Sequence, residues 1–279
     1  MDALSLDILG PALVAGLLIL ATHVPLGAIV LNRGIIFIDI ALAQVAALGV
    51  VFGTVMWGAV SGLVVQACAV AAALSCSVVL TWTDKRFPEI QEAIIGVLYV
   101  FAAALQIILL AYSANGAEHL KALLVGQILW VTPLQLLVIG LIYAAVLALW
   151  YFRDLARERH LFYGGFAVVI TASVQIVGVL LVFASLIVPA LATRHAPARW
   201  RLTIAFNIGV FGYVGGLVAS AILDIPTGAA IVCVLVPAAA LAAVLIERRF
   251  GGARDGVPDG VQDGGAYRHD GPHVHQRAE

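Results

Sequence analysis

Eight apolar runs follow one another along the chain, at residues 8–31, 34–56, 58–81, 91–113, 131–152, 166–195, 202–222 and 226–247. A hydrocarbon core about 30 Å thick is crossed by about 20 apolar residues at about 1.5 Å of rise each, so every run is long enough to span it as a helix. A membrane barrel would instead show alternating segments of about ten residues, a pattern this chain lacks. The fold class predicted is all-α: a polytopic membrane helix bundle of eight to nine membrane segments, formed by residues 1–250.

The uncertainty of one segment comes from the sixth run, which at 30 residues would be about 45 Å long as a straight helix and would overshoot the bilayer. It contains Pro189, an interrupter of helix hydrogen bonding. The basic residues of the connections make the same point. With eight simple crossings, Lys121, Arg194, Arg199, Arg201, Arg248 and Arg249 fall on one side and Arg33, Lys85, Arg86, Arg153, Arg157 and Arg159 on the other, which gives no orientation. If the sixth run is a full helix to about Phe183 followed by a short return segment, "SLIVPALATRH", only Lys121 is left on the far side. That asymmetry places the N-terminus outside and the C-terminus in the cytoplasm. Non-helical backbone and short returns persist at membrane depth only against protein or a water-filled cavity, so the return segment is a candidate wall of a pathway.

Composition agrees with the pattern: 63% of residues are hydrophobic, 11% are charged and the mean hydropathy is +1.07. The opening "MDALSLD" is acidic where a secretory leader is basic, so the first run reads as a retained span. Cys68, Cys76 and Cys233 lie within apolar runs and form no C-x-x-C pair, which suits small core residues rather than a disulfide framework. After Phe250 the chain turns rich in Gly and Asp, and residues 251–279 are predicted to be a disordered cytoplasmic tail in which His269, His273 and His275 are weak metal candidates.

The chain has no G-x-x-x-x-G-K-[ST] phosphate loop, no H-E-x-x-H and no G-x-S-x-G. The usual cradle for ATP is thereby missing, the sequence argues against the commoner zinc-protease and serine-hydrolase designs, and an arginine-rich helix of the voltage-sensor kind is missing as well. Transport, a channel or the scaffolding of other membrane subunits remain.

Three stretches, "RGIIFIDIALAQVAALG" at 33–49, "VGVLLVFASLIVPALAT" at 177–193 and "DIPTGAAIV" at 224–232, resemble the membrane permease subunits of bacterial ABC importers for zinc, manganese or iron, the ABC-3 family. "EAIIGVLYV" at 92–100 and "LLVGQILWVTP" at 123–133 occur in the order such a permease has them, so the resemblance runs from about residue 12 to 247. It implies a non-enzymatic transport subunit of the bacterial inner membrane that works as a homodimer. Two cytoplasmic ABC ATPase subunits would supply the energy, and an extracytoplasmic metal-binding protein would deliver the cargo. No cofactor is implied in this chain, the divalent metal ion being what is transported. The resemblance also implies a cytoplasmic loop that docks on the ATPase. The candidate is "FRDLARERHLFYGG", in which Asp154 can cap a short helix, Leu155 offers an apolar contact, Ala156 matches the family's loop loosely and Arg157 offers charge.

Permeases of this kind usually carry Asp and His four residues apart on the second helix. Here the His position is Gln44, the Asp position is Ile40, and the carboxylate present is Asp39. At 100° per residue Asp39 and Gln44 lie about 140° apart and share no face. A substitute ligand is His23 in "THVPLG", about 15 Å up the first helix from Arg33, with Gln44 about 16 Å up the second. Two readings stand side by side: His23 is a metal ligand beside Gln44, or it locks helices by bonding Gln44 or a carbonyl freed by Pro25. Asp39 must face the bundle, a wet cavity or a basic partner, either as an anchor or in contact with the ion. Gln66, Gln106, Gln175 and Asn207 read as glue between helices. Asp224 either caps the helix that follows, with Pro226 in its first turn, or receives the ion at the outer mouth. A different class of protein, an ion-coupled secondary transporter acting without an ATPase, would use His23 and Asp39 as its cation sites.

Overall fold

The computed structural model describes residues 6–57, 62–111, 124, 126–152 and 158–250. Among them lie eight helices long and apolar enough to cross a membrane. They are α1 (Leu6–Arg33), α2 (Ile38–Trp57), α3 (Gly62–Arg86), α4 (Gln91–Ala111), α5 (Pro133–Phe152), α6 (Arg159–Ala192), α7 (Ala198–Leu223) and α8 (Thr227–Phe250). The tail after Phe250 and the segment Asp154, Leu155, Ala156 and Arg157 lie outside the described residues.

The first corner is made by Gly34. Its left-handed backbone (φ 69°) lets its own amide reach Leu31 O at 3.3 Å and the amide of Ile35 reach Val30 O at 3.4 Å, which closes the end of α1. Residues 34–37 are therefore a turn, and α2 starts at Ile38 rather than at residue 34. From there α2 packs against α3 through Gly49 and Gly53, where an added Cβ would run into Cys68, Ala69 and Val65. α7 and α8 pair in the same way, Gly212 against Leu235 and Gly216 against Ile231. Between membrane helices there is little hydrophobic drive, and small residues gain contact by letting backbones approach.

The centre of the bundle is α6, which is buried along most of its length, whereas α4 and α5 bury only a small share of their side chains. α6 is not one straight rod. Phe162 near its start lies under the Arg33 guanidinium, 4.1 Å from ring centroid to Cζ. Leu186 and Ala190, in contrast, crowd Gly27 of α1. A straight helix would separate Phe162 from Leu186 by about 36 Å, yet Gly27 and Arg33 are about 9 Å apart along α1. The chain therefore rises from Arg159, reverses, and comes back beside α1. The break is Gly178, at φ 76° and ψ 164°, a backbone region that essentially only glycine occupies.

The return predicted in the sixth run is thus present, but it begins at Gly178, not after Phe183. Pro189 stays inside the second arm, because proline removes one hydrogen bond and kinks a helix without reversing it. With α6 doubled back, every lysine and arginine among the described residues gathers at one end of the bundle: Arg33, Lys85, Arg86, Arg159, Arg194, Arg199, Arg201, Arg248 and Arg249.

Candidate functional site

The candidate residues fall on three different surfaces. On α1, Gly16, Leu20, His23 and Gly27 lie within about 60° of one another, since steps of three and four residues nearly complete a turn. Tyr213 of α7 sits on Gly16, Leu20 packs on Gly209 of α7, and Leu186 and Ala190 of the returning arm sit on Gly27. His23 is in the middle of this stripe, and so faces α7 and the second arm of α6. It is fully buried.

The histidine's hydrogen bonds settle how its ring is held. Nδ1 lies 3.0 Å from Ile19 O and 3.1 Å from Thr22 Oγ1, whose own proton goes to Ile19 O. A carbonyl only accepts, so in the neutral ring Nδ1 carries the proton and Nε2 keeps its lone pair. Nε2 is buried and has no hydrogen-bond partner among the described residues. A pinned Nδ1–H with a free Nε2 is the form in which imidazole binds a metal ion.

Gln44 belongs to another contact. Its side-chain and backbone oxygens both accept from Gln106 Nε2 of α4, at 2.9 and 2.7 Å. No hydrogen bond joins His23 to Gln44 among the described residues, and the carbonyl that holds His23 is Ile19 O. The equal depths also change. Because residues 34–37 form a turn, Gln44 stands six helical residues, about 9 Å, from the start of α2. Gln106 is interhelical glue as expected. Gln175 and Asn207 are not: both side chains are exposed, and Asn207 bonds Thr203 O of its own helix at 2.8 Å.

Asp39 sits in the first turn of α2, fully buried, and neither carboxylate oxygen has a hydrogen-bond partner among the described residues. Its own amide and that of Ile40, at the positive end of the helix, are the polar groups that favour it. A buried carboxylate left without a partner destabilises the fold. Asp39→Asn is accordingly expected to raise the thermal midpoint of the purified chain, and a lowered midpoint would reveal a cationic partner.

Arg159, counted among the basic residues of the connections, is held within the chain: its Nε lies 3.3 Å from Asp84 Oδ2 and its Nη1 donates to Asp84 O at 3.2 Å. Beside it Lys85 Nζ donates to His160 Nε2 at 2.8 Å. The end of α3 thus fixes the start of α6, immediately after the candidate docking segment. At the opposite end, Asp224 is exposed and terminates α7 with left-handed backbone (φ 51°), its amide bonded to Ser220 O. It therefore ends the preceding helix, beside the two expectations for it, a cap on the following helix or a place at the outer mouth. The α7 to α8 turn is tied by Ser220 Oγ, 2.7 Å from both Ile225 O and Thr227 Oγ1.

Among the described residues no three His, Cys, Asp or Glu side chains converge on one point. The residues that the sequence did not single out are Gly178, which sets the reversal, and Gly126, which packs against it. Their signal was a glycine inside each of two quoted family stretches.

Comparison with known proteins fits this architecture. PsaBC from Streptococcus pneumoniae in complex with Fab is similar at a TM-score of 0.68 and 19% identity, over 88% of this chain and 94% of that one. A metal-chelate type ABC transporter in an inward-facing conformation is similar at 0.65 and 18%, over 87% and 88%. These likenesses speak to the fold. The family model for the ABC 3 transport family matches residues 5–158 and 155–246. With nearly the whole membrane region matched, this multi-pass membrane protein belongs to the ABC 3 transport family.

Proposed function

We propose that this chain is the permease subunit of an importer for divalent metal ions, zinc, manganese or iron, working as a homodimer with separate ATPase subunits and an extracytoplasmic metal-binding protein. The observation that carries the reading is the doubled-back helix α6, whose second arm lies against the α1 stripe holding the free Nε2 of His23. A return arm at membrane depth needs protein or water around it, and a neutral imidazole beside it is a ligand for all three metals. The cargo would meet few protein ligands at a time, as suits an ion that has to leave again.

The basic end is then the cytoplasmic end by the positive-inside rule, with the N-terminus outside. Asp154, Leu155, Ala156 and Arg157 immediately precede the start of α6 that Asp84 and Lys85 hold. A push from the ATPase on that segment would be delivered to α6 directly. Exposure of Gln175 and Asn207 supports a second copy, because side-chain amides on membrane helices are unfavourable against lipid and are suited to an interface or a wet pathway. Asp224, exposed at the other end, would stand near the outer mouth.

The alternative, an ion-coupled secondary transporter, draws on the buried carboxylate of Asp39, which has no partner among the described residues. Liposomes separate the two. The purified chain alone is expected to take up none of a panel of divalent ions under a proton or sodium gradient, and to do so with ATP once its ATPase and delivery protein are added. Gradient-driven uptake by the chain alone would establish the alternative.

A further inference from the structure

The two arms of α6 are fastened to different neighbours by the same hydroxyl arrangement. In the first arm Ser173 Oγ donates to Val169 O at 2.7 Å and lies 2.5 Å from Tyr143 OH of α5. In the second, Ser185 Oγ donates to Leu181 O at 2.6 Å and lies 2.9 Å from Tyr213 OH of α7. A serine hydroxyl has one proton, here directed at the carbonyl four residues back. In both pairs, therefore, the tyrosine donates and the serine accepts. All four side chains are buried.

Between the two pairs stands Gly178. The corner it forms is held from outside the helix by Gln127, whose amide donates to Ile176 O at 2.8 Å, and by Gly126, where an added Cβ would run into the backbone of Val177 and Gly178. Gly126 itself has φ 73°. Next to the second arm, on the α8 side, is a cavity of about 290 Å³ lined by Val188, Leu191, Arg194, His195, Val236 and Glu247 among others.

We propose that Gly178 is a hinge, that Tyr143 and Ser173 are the fixed clamp of the first arm, and that Tyr213 and Ser185 are the releasable latch of the second. The arms share a single reversed residue and are anchored to different helices, so one can shift without the other. The second arm has space on one side, and on the other the backbone of Gly27, which offers Leu186 no side chain to interlock with. Opening the latch leaves Ser185 still bonded to Leu181 O, so the moving arm carries no orphaned hydroxyl. The hydrogen-bonding cost falls on Tyr213 alone, in the helix that stays. Tyr213 and Ser185 are positioning residues for the returning arm, and their role rests on the geometry of α6 rather than on which substrate passes.

Hydrogen exchange on the full chain in lipid nanodiscs tests this. Tyr213→Phe is expected to speed exchange about tenfold at residues 179–192, the effect of losing one buried hydrogen bond of ordinary strength, and to leave residues 159–177 within about twofold of the parent. Tyr143→Phe is expected to give the opposite pattern. Ser185→Ala, which removes the acceptor and keeps the ring, serves as the second probe of the latch and is expected to reproduce the Tyr213→Phe pattern. Equal acceleration of both arms by either latch variant, or no change at residues 179–192, overturns the proposal.

Discussion

Gly178→Ala is expected to lower the thermal midpoint of the purified chain by several degrees and to reduce uptake by the reconstituted importer to background. At φ 76° and ψ 164° a Cβ forces the backbone into a region that costs a residue other than glycine about 1–3 kcal/mol. The loss is not confined to one residue. The reversal positions the Leu186 carbonyl over Gly27 and the Ser185 hydroxyl at Tyr213, and it offers Ile176 O to the amide of Gln127. Relaxing the strain means letting the arms swing apart, which gives up all three. Gly126→Ala attacks the same corner from the other side, through its own positive φ and the backbone it touches, and should act in the same direction. Pro189→Ala is the informative contrast. Proline lies within the second arm and does not make the reversal, so its replacement should leave the stability within about 1 kcal/mol of the parent, as volume-tolerant changes do. A Pro189 variant that lost the fold while Gly178→Ala kept it would move the hinge back to where the sequence suggested.

That contrast shows how far the sequence could be read. Runs of apolar residues located all eight helices, because length and hydropathy are what the bilayer demands. The charge asymmetry required a return in the sixth run because Arg194, Arg199 and Arg201 had to share a side with Arg33. The position of the return was not legible. Pro189 is the conspicuous helix breaker, whereas Gly178 is one of 27 glycines, and only its neighbours in space decide which glycine takes a positive φ. The second helix was misjudged for a related reason. Residues 34–37 are apolar enough to be counted as helix, but Gly34 turns the chain there, and the depth assigned to Gln44 moved with it. Partners were the least legible feature. Gln44 could have met any polar group at its level, and Gln106 on α4 is the one that the packing supplies.

His23→Leu is expected to leave the stability within about 1 kcal/mol of the parent while lowering divalent-ion uptake at least about tenfold. Both halves of this expectation follow from the same geometry. Leucine is of similar size and a better helix former, and it removes a buried Nε2 that bonds nothing among the described residues. The carbonyl of Ile19 keeps the Thr22 hydroxyl after the ring has gone, so no acceptor is stranded. A lock would behave otherwise, because a residue that holds helices together is paid for in stability when it is lost. Gln44→Ala provides that behaviour for comparison: it removes one of the two acceptors of the buried Gln106 amide, leaving the Gln44 backbone oxygen, and should cost about 0.5–1.5 kcal/mol. If His23→Leu resembled Gln44→Ala, with a lowered midpoint and uptake falling only in proportion to folded protein, His23 would be structural. A stable, transport-deficient His23→Leu would instead mark the seam between α1 and the returning arm as the route of the ion, in a chain whose second helix lacks the usual carboxylate and histidine pair.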